Sequence, residues 1–293
     1  MKENLQLKKI IVPTDFSVSA KNSLEYAVAL AKRVQGDIIL YHAYPIPIVD
    51  VNMPASVFLQ VTQELESNSK EQLENICSEL KNKLAAEAKC SYIIAQDFDP
   101  VKVVNAASEN SADLIIMGTH GTSGIAEFIM GTNTARVVER ADCPVLAIPE
   151  NTTYKPIQKI LFTTDYHDTD FTTLKSIVPL ATLFNAEIIV MHVFQQDKKL
   201  ESHMLEWFKE ELGNHISYKN ISYVLEENEN ISDAINNYAE KNNISILVAS
   251  TRRRNLMEKI FHTSITKKLT YHVHVPFLVF HYTKEEEKKV QTS

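Results

Sequence analysis

Residues 118–134 read GTHGTSGIAEFIMGTNT and follow a short apolar run, LIIM, at 114–117. The chain of 293 residues has six glycines, and four of them, Gly118, Gly121, Gly124 and Gly131, fall in this one stretch. Glycine is required where backbone takes positive φ or comes close to a ligand, so this concentration predicts a loop shaped by backbone geometry rather than by side-chain packing. Gly118 and Gly121 expose N–H groups in a turn after a strand. Gly131 and Thr132 stand at the amino end of a helix, where free N–H groups and the helix dipole favour an anion. Thr132 and Thr134 add hydroxyl donors. The stretch reads as a phosphate cradle; glycines that only permit turning would explain neither the one at the helix start nor the hydroxyls beside it. No lysine of the GKS or GKT type follows, so this is not a Walker loop.

Upstream, residues 8–12 form an apolar strand that Pro13, Thr14 and Asp15 terminate, leaving a carboxylate at its carboxyl edge. Ser17 caps a helix in which Ala20, Leu24, Ala27, Val28, Ala31 and Val34 recur at helical spacing, and Gly36 is placed for a left-handed C-cap. DIILYHAY, 37–44, is a strand covered on both faces. A proline-bearing excursion (Pro45, Pro47, Pro54) leads to a long helix over 56–88 and a third strand at 90–95. Asp99 and Pro100 open a helix carrying Val101, Val104 and Ala107. The fourth strand, 113–117, runs into the glycine stretch, and a helix to about Arg140 and a fifth strand at 144–149 follow. Strands alternating with helices imply right-handed crossovers, a parallel sheet and a ligand crevice at the strands' carboxyl ends. Asp15 and the glycine stretch both lie at that edge.

From residue 158 the pattern repeats. KKIIVPTDF beside QKILFTTDY sets Asp15 against Asp165, and DIILYHAY beside EIIVMHVF sets His42 against His192, both at an offset of 150. ADLIIMGTHG is matched with ISILVASTRR at an offset taken as 131, which removes 19 residues from the second copy and puts Ala249 against Gly118, Arg252 against Gly121 and His262 against Gly131. PVLAIP and VPFLVF close the two halves. The chain is therefore a tandem duplication: a domain over 1–150, a second over 151–283 entered through a linker at 150–156, and a charged tail at 284–293.

PTDF on the first strand, IIMGTHG after the fourth and GTNT at the next helix together resemble the nucleotide-binding branch of the universal stress protein family, in its tandem form. The resemblance implies an α/β fold of two tandem domains, each a five-stranded parallel, Rossmann-like (adenine nucleotide alpha hydrolase-like) sheet with helices on both faces. It implies ATP as the ligand: Pro13, Thr14, Asp15 and the backbone of Ala43 on the nucleoside side; Met117, Gly118, His120 and Gly121 along the ribose and first phosphates; and Gly131, Thr132, Asn133 and Thr134 at the outer phosphates. Mg2+, or Mn2+ in its stead, would ride on ATP oxygens and water rather than in a protein cage. Side chains in place of the glycines predict no such site in the second domain. The family pattern also implies an internal pseudo-dimer, with 145–148 and 277–279 as the paired edges, and is compatible with a further homodimer.

No nucleophile with a base appears, and nothing positions an attacking water, so the reading is an ATP-binding stress-response module with at most slow hydrolysis. The alternative is a nucleotide-independent scaffold or small-molecule binder of the same fold. A formal net charge of −7 opposes nucleic acid and anionic membranes. No run approaches the ~18 apolar residues of a spanning helix, and the N-terminus lacks a signal-type apolar segment, so the expected location is the cytoplasm. Cys77, Cys90 and Cys143 show no paired spacing and are expected as reduced core residues. His42 and His192 are expected to be packed and hydrogen-bonded, Arg252–Arg254 to form a solvated loop, and His272 and His274 to hold no metal.

Overall fold

The computed structural model describes residues 5, 7–45, 54–96, 99, 101–119, 132–252 and 275–282. The first half runs β1 (Lys9–Pro13), α1 (Val18–Val34), β2 (Asp37–Tyr44), α2 (Ala55–Lys81), β3 (Cys90–Gln96), α3 (Val101–Glu109), β4 (Leu114–Gly118), α4 (Thr132–Arg140) and β5 (Val145–Ile148). The second runs β6 (Lys159–Thr163), α5 (Asp168–Phe184), β7 (Glu187–Phe194), α6 (Lys198–His215), β8 (Ile221–Glu227), α7 (Ile231–Lys241), β9 (Ile246–Arg252) and β10 (Phe277–Tyr282).

The ten strands among the described residues belong to one sheet, ordered β3-β2-β1-β4-β5-β10-β9-β6-β7-β8. Each half contributes five parallel strands, and the halves meet where β5 and β10 pair antiparallel, with Leu146 opposite Leu278. The β1 side chains show how the sheet is covered. Ile10 and Val12 enter one core with Leu30 of α1, Leu73 of α2, Leu174 of α5 and Phe208 of α6. Ile11 enters the other with Val103 of α3, Val137 of α4 and Ile235 of α7. Strands apolar on both faces are thus explained by helices on both faces. Among the described residues no helix is long and apolar enough to cross a membrane.

The ladders correct the match between the halves. Ile10 pairs with Leu114 and its counterpart Ile160 with Ile246, an offset of 132 (246 minus 114) rather than 131. Two polar anchors agree. The Asp113 carboxylate accepts the N–H groups of Lys8 and Lys9 at 2.9 and 3.0 Å, and the Ser245 hydroxyl accepts those of Gln158 and Lys159 at 3.0 and 3.3 Å. Ser250, not Ala249, therefore corresponds to Gly118; Ala249 corresponds to Met117, and Arg253 rather than Arg252 to Gly121. A slip of one residue moves each side chain to the opposite face, so the correction changes which residue looks into the crevice.

Three local expectations are also revised. The left-handed residue ending α1 is Gln35, at φ 56°, and Gly36 is needed for another reason: a Cβ there would run into the Leu7 carbonyl oxygen. The long helix α2 stops at Lys81 rather than near residue 88. The cysteines are not separate reduced core residues. Cys77 and Cys90 are joined by a disulfide, their Cα atoms 5.3 Å apart, because the end of α2 crosses the first residue of β3; all three cysteines are half-buried. Arg253, Arg254, His262, His272 and His274 lie outside the described residues.

Candidate functional site

The helix that follows β1 packs on one face of the sheet and the helix that follows β4 on the other, so the chain diverges at the carboxyl ends of these adjacent strands. Such a divergence opens a crevice at the strand ends, where ligands of open α/β sheets bind. Extending the β1–β4 register places Thr14 level with Gly118.

On the β1 side the turn is built by local hydrogen bonds. The Thr14 N–H donates to Tyr41 O at 2.8 Å, the Thr14 hydroxyl oxygen accepts the Phe16 N–H at 3.1 Å, and Asp15 Oδ1 accepts the Ser17 N–H at 3.0 Å. Ser17 then caps α1 by accepting the Ala20 N–H at 3.2 Å, as its sequence position predicts. Phe16 takes φ 64°, which this tight exit from the strand requires. Asp15 is exposed at the rim and Pro13 and Thr14 are half-buried.

On the β4 side Met117 is 8% exposed and packs into the core, leaving its backbone at the edge. A Cβ added at Gly118 would run into the Ser19 hydroxyl of α1 and stand 3.1 Å from two further Ser19 atoms, its carbonyl carbon and its Cβ. Gly118 is therefore glycine because α1 approaches it closely. The Ser19 hydroxyl is buried without a protein partner. Thr134, also buried, donates its hydroxyl to Gly118 O at 2.8 Å, tying the first turn of α4 to the end of β4, while Thr132 and Asn133 are exposed on that turn. Ala43 is half-buried at the end of β2. The described part of the crevice thus joins Thr14, Asp15, Ser19, Gly118 and the α4 amino terminus; His120, Gly121 and Gly131 lie outside the described residues.

The same place in the second half is filled. Asp170, at the position of Ala20, is 1% exposed. Its Oδ2 accepts the Thr164 hydroxyl at 2.7 Å and the N–H groups of His167 and Asp165 at 3.1 and 3.3 Å; its Oδ1 accepts the Ser250 hydroxyl at 2.8 Å. Burial, and secondarily the neighbouring Asp165, pushes this carboxyl up from the usual range to about 6. The His167 N–H, counterpart of the Ser17 N–H that Asp15 accepts, is thus taken by Asp170. The small pair Ala20 and Gly118 has become Asp170 and Ser250, a substitution legible from the duplication once the offsets of 150 and 132 are applied.

The two histidines are structural. His42 Nδ1 lies 2.7 Å from Thr14 O and His192 Nδ1 lies 2.7 Å from Thr164 O. A carbonyl oxygen only accepts, so each Nδ1 carries the proton. Phe16 and Tyr166 lie against these rings at centroid distances of 4.5 and 4.3 Å. Among the described residues no three His, Cys, Asp or Glu side chains converge on a point that could hold a metal ion.

Comparison with known proteins adds the lineage. The profile of the Universal stress protein family matches residues 6–149 and again 156–281. Universal stress protein MJ0531 of Methanocaldococcus jannaschii is 32% identical over 152 residues, covering 50% of this chain and 84% of that protein. Universal stress protein MJ0577 of the same organism is 30% identical over 161 residues, covering 50% and 96%. Among solved structures, a universal stress protein from Archaeoglobus fulgidus superposes with a TM-score of 0.73 at 17% identity, over 97% of this chain and 100% of that one, a likeness of fold.

Proposed function

Since the chain belongs to the universal stress protein family, we propose that it is an adenine-nucleotide-binding stress-response module with one nucleotide site, in the first of its two domains. The observation that carries this reading is the contrast between the two crevices. At matching positions the first presents Ala20 and Gly118, whereas the second contains the buried carboxylate of Asp170 and the Ser250 hydroxyl bonded to it; the hydroxyls of Ser19 and its counterpart Thr169 are alike buried without a partner. A phosphate entering the second would meet a like charge in a poorly solvated place, which costs several kcal/mol.

In this proposal Asp15 and the Ala43 backbone face the nucleoside, and Pro13 and Thr14 shape that wall. Met117, Gly118, His120 and Gly121 offer backbone or side-chain donors along the ribose and first phosphates. Gly131, Thr132 and Asn133 bring the α4 amino terminus to the outer phosphates, with Thr134 holding that turn in place through Gly118. Donors of N–H and hydroxyl type suit phosphate oxygens rather than a cation cage. Mg2+ would accordingly be held chiefly by the nucleotide, neutralising phosphate charge.

Titrating Mg-ATP into the full chain, with heat or fluorescence as readout, tests the proposal. The wild type is expected to bind, and Gly131→Arg to weaken binding at least tenfold. Equal affinity of the two proteins would refute the assignment.

A further inference from the structure

We propose that Cys77 and Cys90 form a reversible thiol–disulfide site that governs how firmly α2 is held on the sheet edge. The inference is independent of the nucleotide reading and rests on three observations.

The first is position. Cys77 lies near the end of α2 and Cys90 is the first residue of β3, which among the described strands has a neighbour on one side only, β2. Both cysteines are half-buried, so a small thiol or disulfide reaches them from solvent.

The second is the thin packing of α2. Over the 27 residues of Ala55–Lys81 the buried residues are Ser69, Leu73 and Leu80. Beyond these, Ile76 and Cys77 pack half-buried against the core, and the Tyr92 hydroxyl donates an exposed hydrogen bond to Glu74 at 2.9 Å. A covalent bond is a large share of such an attachment.

The third is the duplicate, which shows the joint made without sulfur. Ile38 pairs with Cys90 and its counterpart Ile188 with Ile221, so Ile221 holds the cysteine's place. There α6 packs through Leu205, Phe208 and Leu212, and Phe208 stacks on Phe171 at 4.7 Å. The fold does not require a disulfide at this joint; the second half makes it with apolar contacts, and the first half adds a covalent bond to the packing of Leu73, Ile76 and Leu80.

The exchange balances with a small-molecule disulfide such as oxidised glutathione. One cysteine thiolate attacks a glutathione sulfur and releases a glutathione thiolate. The other cysteine thiolate attacks the protein sulfur of the mixed disulfide and releases the second. Two protein thiols become one S–S bond, one oxidised glutathione becomes two reduced, and the two thiol protons pass to the released thiolates.

To test this, the full chain is equilibrated in buffers of graded reduced-to-oxidised glutathione ratio, acid-quenched, alkylated and analysed by peptide mass spectrometry, with trypsin cleavage after Lys70 followed in parallel. Cys77 and Cys90 are expected to pass together from linked to alkylated within the accessible range of ratios, and cleavage after Lys70 to rise at least threefold on the reduced side. Cys77→Ser, and Cys90→Ile with the residue of the second half, should cleave at a rate independent of the ratio. A pair that stays linked in excess reduced glutathione, or never links, overturns the proposal, as does wild-type cleavage that ignores the ratio.

Discussion

The Asp170 carboxylate accepts the Ser250 hydroxyl at 2.8 Å across the mouth between β6 and β9. Those two positions hold Ala20 and Gly118 in the first half, so among the described residues the two crevices differ by a buried carboxylate and the hydroxyl bonded to it. Keeping the scaffold while exchanging a few residues at the strand ends lets one fold carry sites of different chemistry.

Asp170 makes stability depend on pH. Its carboxyl is raised from 3.8 to about 6, so the folded chain holds a proton there that the unfolded chain has already lost. The contribution is fully present below the unfolded value and is lost as pH rises through about 6. Urea midpoints taken from pH 4 to 7 should therefore show this group favouring the fold at the acid end, by about 1–3 kcal/mol. Asp170→Asn, which stays neutral, should lack that component. Identical pH profiles for the two proteins would contradict the burial of an ionisable carboxyl.

The contact between Gly118 and Ser19 predicts a specific rescue. Gly118→Ala places a methyl against Ser19 and should destabilise the chain by about 1–3 kcal/mol, the usual cost of overpacking. Adding Ser19→Gly removes Oγ and Cβ, leaving only the residue 19 carbonyl carbon in tight contact, and should recover much of that loss in chemical denaturation. Strictly additive losses would mean that the two residues do not meet.

The seam between the halves predicts a shared core. Leu146 and Leu278 face each other across β5 and β10, each 1% exposed and in one cluster with residues of both halves. Leu278→Ala should cost about 2–5 kcal/mol. Hydrogen exchange should show the loss of protection in β4 and β9 alike; loss confined to β9 would mean that the halves are stabilised separately.

Much of this was legible in the residues. The apolar strands, the Ser17 cap and the paired histidines follow from patterns that local physics enforces, whereas the pairing of 145–148 with 277–279 is implied by the family resemblance and is seen between β5 and β10. The offset of 131 is a miscount, since ADLIIMGTHG (112–121) and ISILVASTRR (244–253) stand 132 apart. LIIMG and ILVAS are apolar on both faces, so their alternation does not report register; the polar anchors Asp113 and Ser245 do. Gly36 was matched to a left-handed cap because glycine favours one, but Gln35 takes that conformation and Gly36 answers to the nearby Leu7 carbonyl, a tertiary contact without local signature. Cys77 and Cys90 meet only because α2 returns across β3. Asp170 stands opposite Ala20 in the two halves, yet its importance depends on its burial, which no local pattern reports.

The central claim is one nucleotide site per chain, in the half that lacks the internal carboxylate. Native mass spectrometry of the full chain in excess Mg-ATP counts the sites directly. A single bound nucleotide, lost in Gly131→Arg and retained in Asp170→Asn, is the predicted result; two nucleotides per chain, or none, would contradict it.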